Sequence, residues 1–420
     1  MDARKERGRA IAAKGNIRKA PRGYLVPSQS GQGKYAVVVN EHGHSCTCPD
    51  FEGRGGEPCK HVFAVRIVIQ QELVFDGETV RETVTVTKTV ERKTYAQNWP
   101  AYNEAQTNEK DRFMILLRDL CAGLAKPEEK PKRGRPRLPI RDAVFTAVMK
   151  VYTTASARRA MSDLREAGER GYINKVPCHN SVLNALESAE LTPILKDLIV
   201  ESSRPLSAVE LDFAVDSTGF TTSRFESWAD NKWGGQPARR KHTWVKAHMM
   251  CGVKTNIVTA IEILDKNASD IRQLPQLVHT TARTFPIGDV SADRAYGAIK
   301  NAETIAVHGG TPFIAFKTNH TGKGSNRPGH EGSGAWGKMF GYFMYRRAEF
   351  EARYHQRSNI ETTFSMIKRK FGDSLRSKTE TAQVNETLAK VLCHNLVVLI
   401  HEACELGIEA AFWGQKNGGV

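Results

Sequence analysis

The chain has 420 residues, with 61 Lys and Arg against 46 Asp and Glu, a formal charge of +15 and a pI near 9.4. That length exceeds one core and calls for about two or three domains, and the basic surplus favours a polyanionic partner, nucleic acid above all. With no run of ~18 apolar residues and no signal-peptide pattern, neither a membrane span nor export is expected, and 8 cysteines over this length point to metal in a reducing compartment rather than to a disulfide scaffold.

Residues 1–22 (MDARKERGRAIAAKGNIRKAPR) are basic and short of large apolar groups. They read as an arm, flexible or partly helical, that touches phosphate or aids solubility. Residues 24–26 and 35–39 read as two strands around the polar turn SQSGQGK. Then come two close pairs, Cys46-Thr-Cys48 and Cys59-Lys-His61. Zinc takes four soft or borderline ligands in a tetrahedron, and thiolates with an imidazole supply them. The loop PDFEGRGGEP lets the chain fold back to close the site, and the apolar run 62–69 starts a helix. Residues 23–72, with their Cys-Pro-Asp-Phe and Cys-Lys-His-Val words, resemble the SWIM-type zinc finger. The resemblance implies a ββα module with Cys46, Cys48, Cys59 and His61 as ligands, binding DNA or protein.

Residues 79–90 (TVRETVTVTKTV) read as an exposed strand or linker, and 101–124 as a helix with Phe113, Leu116, Leu117 and Leu120 on one side. The segment KPEEKPKRGRPRLP follows. Its Arg133-Gly134-Arg135-Pro136-Arg137 core matches an AT-hook, whose arginines enter a narrow A·T minor groove; it reads equally as a basic interdomain linker. Residues 140–205 are helical in pattern, with helices expected at 155–168 and 181–189. Their separation is too long for a tight helix-turn-helix, so bracing helices come first and DNA contact second.

From Glu210 the texture turns α/β. Strands are expected at 211–215, ending in Asp216-Ser-Thr-Gly, at 244–251, 257–263 and 286–292, ending in Asp293-Arg-Ala-Tyr296, and at 313–317. A helix is expected to begin near Ser269, 321–336 forms a Gly-rich mobile loop, and 383–406 forms a long amphipathic helix. Between these last two, 354–368 (YHQRSNIETTFSMIK) reads as one helix. At ~100° per residue, Tyr354, Arg357, Glu361 and Lys368 fall within about 60° of one another, beside a stripe of Ile360, Phe364, Ile367 and Phe371.

Asp216 and Asp293 at strand ends and Glu361 on a helix are what a two-metal phosphoryl-transfer site needs, with hard oxygens suiting Mg²⁺ or Mn²⁺. The words Asp216-Ser-Thr-Gly-Phe, Ala292-Asp293-Arg-Ala-Tyr296 and Cys393-His394-Asn395-Leu396 resemble those of the DDE transposases of prokaryotic insertion sequences. So does the Tyr354/Arg357/Glu361/Lys368 signature, with two, three and six intervening residues. The resemblance covers about residues 205–405. It implies an RNase H-like fold: a mixed five-stranded sheet flanked by helices, preceded by a helical region and the small zinc module. It makes Asp216, Asp293 and Glu361 metal ligands, Arg357 and Lys368 phosphate contacts, and Tyr354 their support. Asp212 shares Asp216's strand face but lacks the Ser-Thr-Gly word. The chain departs from the family at Arg294-Ala295, and no long β-rich insertion is visible between 313 and 354.

The domains read as an arm (1–22), zinc finger (23–75), linker (76–139), helical region (140–205), catalytic domain (206–405) and tail (406–420). Taken together, the reading is a transposase that uses structural Zn²⁺ and catalytic Mg²⁺ or Mn²⁺. Its partners are DNA, as transposon ends and target, and a second copy in a homodimer; no membrane is involved, and the setting is the nucleoid of a prokaryotic cytoplasm. The alternative is a catalytically idle zinc-finger DNA-binding protein derived from such an enzyme.

Overall fold

Short runs of alternating apolar residues build the first sheet. Tyr24, Val26, Val37 and Cys46 turn inward while their neighbours face out. The strands are β1 (Arg18–Ala20), β2 (Gly23–Pro27), β3 (Lys34–Asn40) and β4 (Gly43–Cys46), antiparallel in that order. Gly23 has φ +145°, and a Cβ there would stand 2.5 Å from the Val37 carbonyl oxygen, so only glycine permits the β2–β3 approach. The computed structural model describes residues 3–13, 17–20, 23–28, 33–40, 43–53, 57–74, 98–124, 137–222, 244–264, 269–317 and 334–413. It divides into two units, Met1–Ala96 and Gln97–Val420.

In the first unit, residues expected to form an arm belong to the module itself. Helix α1 (Ala3–Ala13) buries Ile11, β1 pairs with β2, and Ile17 is 1% exposed. A Cβ at Gly8 would lie 2.7 Å from Phe63 Cβ, so glycine lets α1 lie close on helix α3 (Lys60–Val74). A single turn, α2 (Pro49–Glu52), precedes α3. The module therefore has four strands rather than two.

In the second unit, β5 (Phe213–Thr221), β6 (Trp244–Gly252), β7 (Val258–Leu264), β8 (Asp289–Ala292) and β9 (Thr311–Ile314) form a sheet in the order β7-β6-β5-β8-β9. β6 runs antiparallel to β5 and β7, while β8 and β9 run parallel to β5. This is the mixed five-stranded RNase H-like sheet. β5 extends beyond its expected end, through the Ser-Thr-Gly word to Thr221, with every residue opposite one of β6.

Both faces of the sheet are covered, as strand alternation requires. Phe213, Val215 and Met250 pack with α10 (Leu274–Ala282), α11 (Ile299–Val307), α12 (Ala335–Tyr345) and α13 (Arg347–Tyr354). Ala214, Ala247, Met249 and Cys251 face the larger core. That core also holds Phe113 of α5 (Glu109–Ala122), Phe145 of α6 (Ile140–Tyr152), Leu198 of α9 (Leu191–Ser203), Ile367 of α14 (Ser358–Phe371) and Leu396 of α15 (Glu380–Leu406). Residues 140–205, expected as a region of their own, therefore share one core with the sheet; α7 (Met161–Glu169) and α8 (His179–Glu187) complete them.

The helix expected at 101–124 is two, α4 (Trp99–Thr107) and α5, broken at Asn108, whose side chain donates back to the Glu104 carbonyl. The stretch 354–368 is also broken. Tyr354 ends α13, His355–Arg357 is a 3₁₀ turn, and Glu361 and Lys368 lie on α14. The strand or linker at 79–90, residues 321–333 of the expected loop, and Arg133 and Arg135 lie outside the described residues, while Ala335 and Trp336, expected in that loop, begin α12.

α15 is the axis of this core. It is long and apolar enough to cross a membrane, but 78% of its apolar window is buried inside the unit. Asn395, fully buried, accepts from Val258 N–H (2.9 Å) and donates to the Val258 carbonyl (2.7 Å) and Ser202 Oγ (3.0 Å), tying β7 to α9. His394 Nε2 donates to the Asn256 carbonyl (2.9 Å). Burial pulls the His394 pKa down to about 4. Unfolding returns it to ~6.5, so the unfolded chain binds the extra proton between those values. Stability is therefore full above pH ~6.5 and falls towards pH ~4, by about 3 kcal/mol from this group. Denaturant unfolding from pH 7 to 4 should show that loss, and His394→Gln, which keeps a donor without the titration, should flatten it; an equal loss in the variant would assign it elsewhere.

Candidate active site and metal centre

The parallel pairing of β5 and β8 sets Val215 opposite Ala292, so the next residue on each strand, Asp216 and Asp293, emerges side by side at the same sheet edge. Asp293 begins the 3₁₀ turn Arg294–Tyr296 and accepts from its own neighbour's N–H, Arg294 N to Oδ1, at 2.7 Å. Asp216 Oδ1 accepts from Ser217 N–H at 2.8 Å. α14 delivers the third carboxylate. Ile360, Thr363, Phe364, Ile367 and Phe371 seat that helix in the core, leaving Glu361 on its outer side, 59% exposed.

Arg357 joins them. Nη1 donates to Asp216 Oδ2 at 2.7 Å and Nη2 to Glu361 Oε1 at 2.8 Å, so one guanidinium fork spans both carboxylates. Burial pushes the Asp216 carboxyl up, the Ser217 N–H and Arg357 act against it, and Asp293 and Glu361 add to the rise. Burial works against charge on Arg357, but Asp216, Tyr354 and Glu361 more than offset it and its pKa is raised. Three carboxylates with one arginine leave a local negative excess. The donor set, all hard oxygen, fits a divalent cation such as Mg²⁺ or Mn²⁺, in an arrangement more open than the thiol cluster described below.

The other expected contacts fall nearby. Tyr354 stacks on Phe350 at 6.4 Å and 12°. Lys368 does not join the carboxylates; its Nζ sits 5.5 Å from the centre of the Phe220 ring, and burial lowers its pKa. Asp212 lies at the opposite end of β5, accepting from Asp289 N–H at 2.8 Å.

A buried network behind the carboxylates was not anticipated. Tyr296 hydroxyl and His248 Nδ1 share a hydrogen bond of 3.2 Å, His248 Nδ1 is 3.6 Å from Asp270 Oδ1, and Lys246 pairs with Asp270. Tyr296 also bonds Ser217, and burial together with Asp216 and Asp270 raises its pKa. The chain thus braces the strand beside Asp216 from within. Tyr296 belonged to a recognised word, but no spacing rule links it to His248 or Asp270.

In the first unit, β4 ends at Cys46, Cys48 precedes the single turn α2, and Cys59 and His61 flank the start of α3. All four are buried, and their ligand atoms lie within 4.8 Å of one another. His61 Nδ1 is 3.9 Å from Cys46 Sγ and 3.8 Å from Cys59 Sγ. Ligand bonds of about 2.0–2.3 Å to a tetrahedral zinc ion place donors about 3.5–3.8 Å apart, so the quartet fits zinc. The contact with Cys59 is the largest cause raising Cys46, and the same contact pulls Cys59 down to about 3. Thiols this close share protons unless a dication neutralises them.

A mixed five-stranded sheet with one carboxylate within β5, a second just past the neighbouring parallel β8 and a third on a following helix defines an RNase H-like domain with an acidic, metal-type site. The comparisons agree: residues 208–396 match the transposase DDE domain, and residues 35–67 match the SWIM zinc finger. The chain therefore carries a transposase DDE domain downstream of a SWIM zinc finger. A cryo-EM structure of a piggyBac transposase synaptic complex with hairpin DNA aligns with 76% of this chain and 78% of its own, at 10% identity and a TM-score of 0.32; a likeness that slight carries no argument.

Zinc binding supplies most of the folding free energy of so small a unit. Cys59→Ser should lower zinc from about one per chain towards zero and unfold the first unit, while the melting transition of Gln97–Val420 persists. Elemental analysis with calorimetry checks this; stoichiometric zinc in the variant would show that Cys59 is not a ligand.

Proposed function

We propose that the protein is a DNA transposase that cleaves at the ends of a mobile element and joins the freed 3′-hydroxyls to target DNA. One observation carries the reading: Asp216 and Glu361, far apart in sequence, meet on Arg357, and the β5–β8 register sets Asp293 beside Asp216 on an RNase H-like sheet. The transposase DDE domain match over the same residues supports it.

Asp216, Asp293 and Glu361 would hold divalent ions, which when bound activate the attacking oxygen and stabilise the leaving one. The chain's own residues orient the rest. Ser217 N–H and the Tyr296 hydroxyl fix the strand at Asp216. Arg357 supplies the charge that lets Asp216 and Glu361 sit together, and an arriving phosphodiester offers its guanidinium a second anionic partner. Lys368 makes no ion pair among the described residues and leans on the Phe220 ring, which leaves its ammonium available to a DNA phosphate. Two ends must be cut for one element to move, so the working form on DNA is a homodimer.

Asp216→Ala, Asp293→Ala and Glu361→Ala should each lower Mg²⁺- or Mn²⁺-dependent cleavage of the element's ends a thousandfold or more, about 4 kcal/mol of barrier, while changing DNA affinity little. Gel-resolved cleavage and strand-transfer assays on pre-nicked ends measure this. Cleavage without joining would make the protein a nuclease. Wild-type binding without either reaction would make it an idle derivative.

A further inference from the structure

Just past the C-terminal end of β5, a cavity of about 850 Å³ opens between the helices and the segment that follows α14. Lys150, Arg158, Arg376 and Lys378 line it, and among the described residues no acidic side chain does. Lys150 is the unusual member. It is 5% exposed, yet its ammonium has no hydrogen bond or ion pair among the described residues. Its stem is buried while its remaining exposure faces the cavity; burial lowers its pKa, with Glu386 acting the other way. Lys150 is the largest cause holding the Glu386 pKa down, but the two make no direct ion pair among the described residues. That carboxylate already accepts from Arg376 N–H at 3.0 Å and Ser377 N–H at 2.8 Å, and its nearest cation is Lys390 at 3.9 Å.

Two further features suit the cavity to an anion. The first turn of α8 opens on it through His179 and Asn180, and the N-terminus of a helix attracts negative charge. Thr222, which lines the cavity, stands six residues beyond Asp216 along β5 and its end. At ~3.3 Å per residue that is about 20 Å, roughly six base steps of a DNA strand at ~3.4 Å each. Lys368, on the ring of Phe220, lies between the two places.

We propose that this cavity takes a backbone phosphate of the DNA whose reacting bond lies at Asp216, Asp293 and Glu361, with Lys150 as the buried anchor. The inference rests on the transposase reading for the identity of the strand, and on the cavity alone for the phosphate. It gives the helices around the sheet a second contact with DNA, remote from the chemistry and independent of base sequence.

The test uses the full chain and a random-sequence duplex, with affinity read by fluorescence anisotropy from about 50 to about 200 mM salt. Lys150→Met keeps the buried apolar stem and removes only the charge, so the fold should persist, as calorimetry would show. It should nonetheless bind about tenfold more weakly, with the slope of log K against log salt reduced by about 0.9. Lys378→Ala, which leaves the core untouched, should shift the slope the same way. Unchanged slopes in both variants, with end cleavage intact, overturn the cavity inference alone. Inorganic phosphate that raises the wild-type melting temperature but not that of Lys150→Met, with DNA slopes unchanged, makes this a small-anion site and overturns the DNA assignment. Reduced slopes in a protein whose wild type never cleaves leave the phosphate site standing and sink the transposase reading instead.

Discussion

One guanidinium holds the site. Arg357 reaches Asp216 from 141 residues away in sequence and Glu361 from four residues away on the next helix. Without that charge, burial and the mutual repulsion of Asp216, Asp293 and Glu361 would oppose their meeting. Much of the second unit serves that meeting. The parallel β5–β8 register brings two aspartates level, and the buried stripe Ile360, Phe364, Ile367 and Phe371 fixes the helix that carries the glutamate. The Tyr296–His248–Asp270 network stiffens the strand from behind. A charged cluster of this kind contributes little net stability once desolvation is counted; what it secures is geometry.

The packing explains why the helices of 98–206 belong with the sheet. β5 alternates Phe213 and Val215 towards one core with Ala214 towards the other, so both faces need cover. α15 supplies the larger side. Its Asn385 and Asn395 bond backbone groups at the end of α8, in the α8–α9 connection, in α9 and in β7, which converts an apolar helix into a ruler for the elements around it. Buried amides with every partner in place specify one arrangement, because any slip leaves donors and acceptors unpaired.

Much of this was legible in the sequence where a period or a word repeats a physical need. The five strands of the sheet and the stripe of α14 follow from alternation and helical spacing. The quartet Cys46, Cys48, Cys59 and His61 follows from ligand chemistry at close spacing. The turn His355–Arg357 was not legible, because neither Gly nor Pro marks it; tertiary contacts with the sheet decide it. β1 and β4 are only 3 and 4 residues long and rich in polar side chains, too short for alternation to show. α1 hid for a different reason: its packing depends on Gly8 fitting against Phe63, a match of shape that composition does not record. The partners of Tyr296 lie up to 79 residues away on other elements, and only the three-dimensional fold brings them together.

Everything proposed for the second unit depends on Asp216, Asp293 and Glu361 forming one divalent-metal site with Arg357 as its resident counter-charge. Anomalous diffraction from crystals of the full chain soaked in Mn²⁺ tests this most directly. Mn²⁺ density should touch all three carboxylates, with the Arg357 guanidinium drawn away from Asp216. Mn²⁺ bound elsewhere, with Arg357 still bridging Asp216 and Glu361, would contradict it.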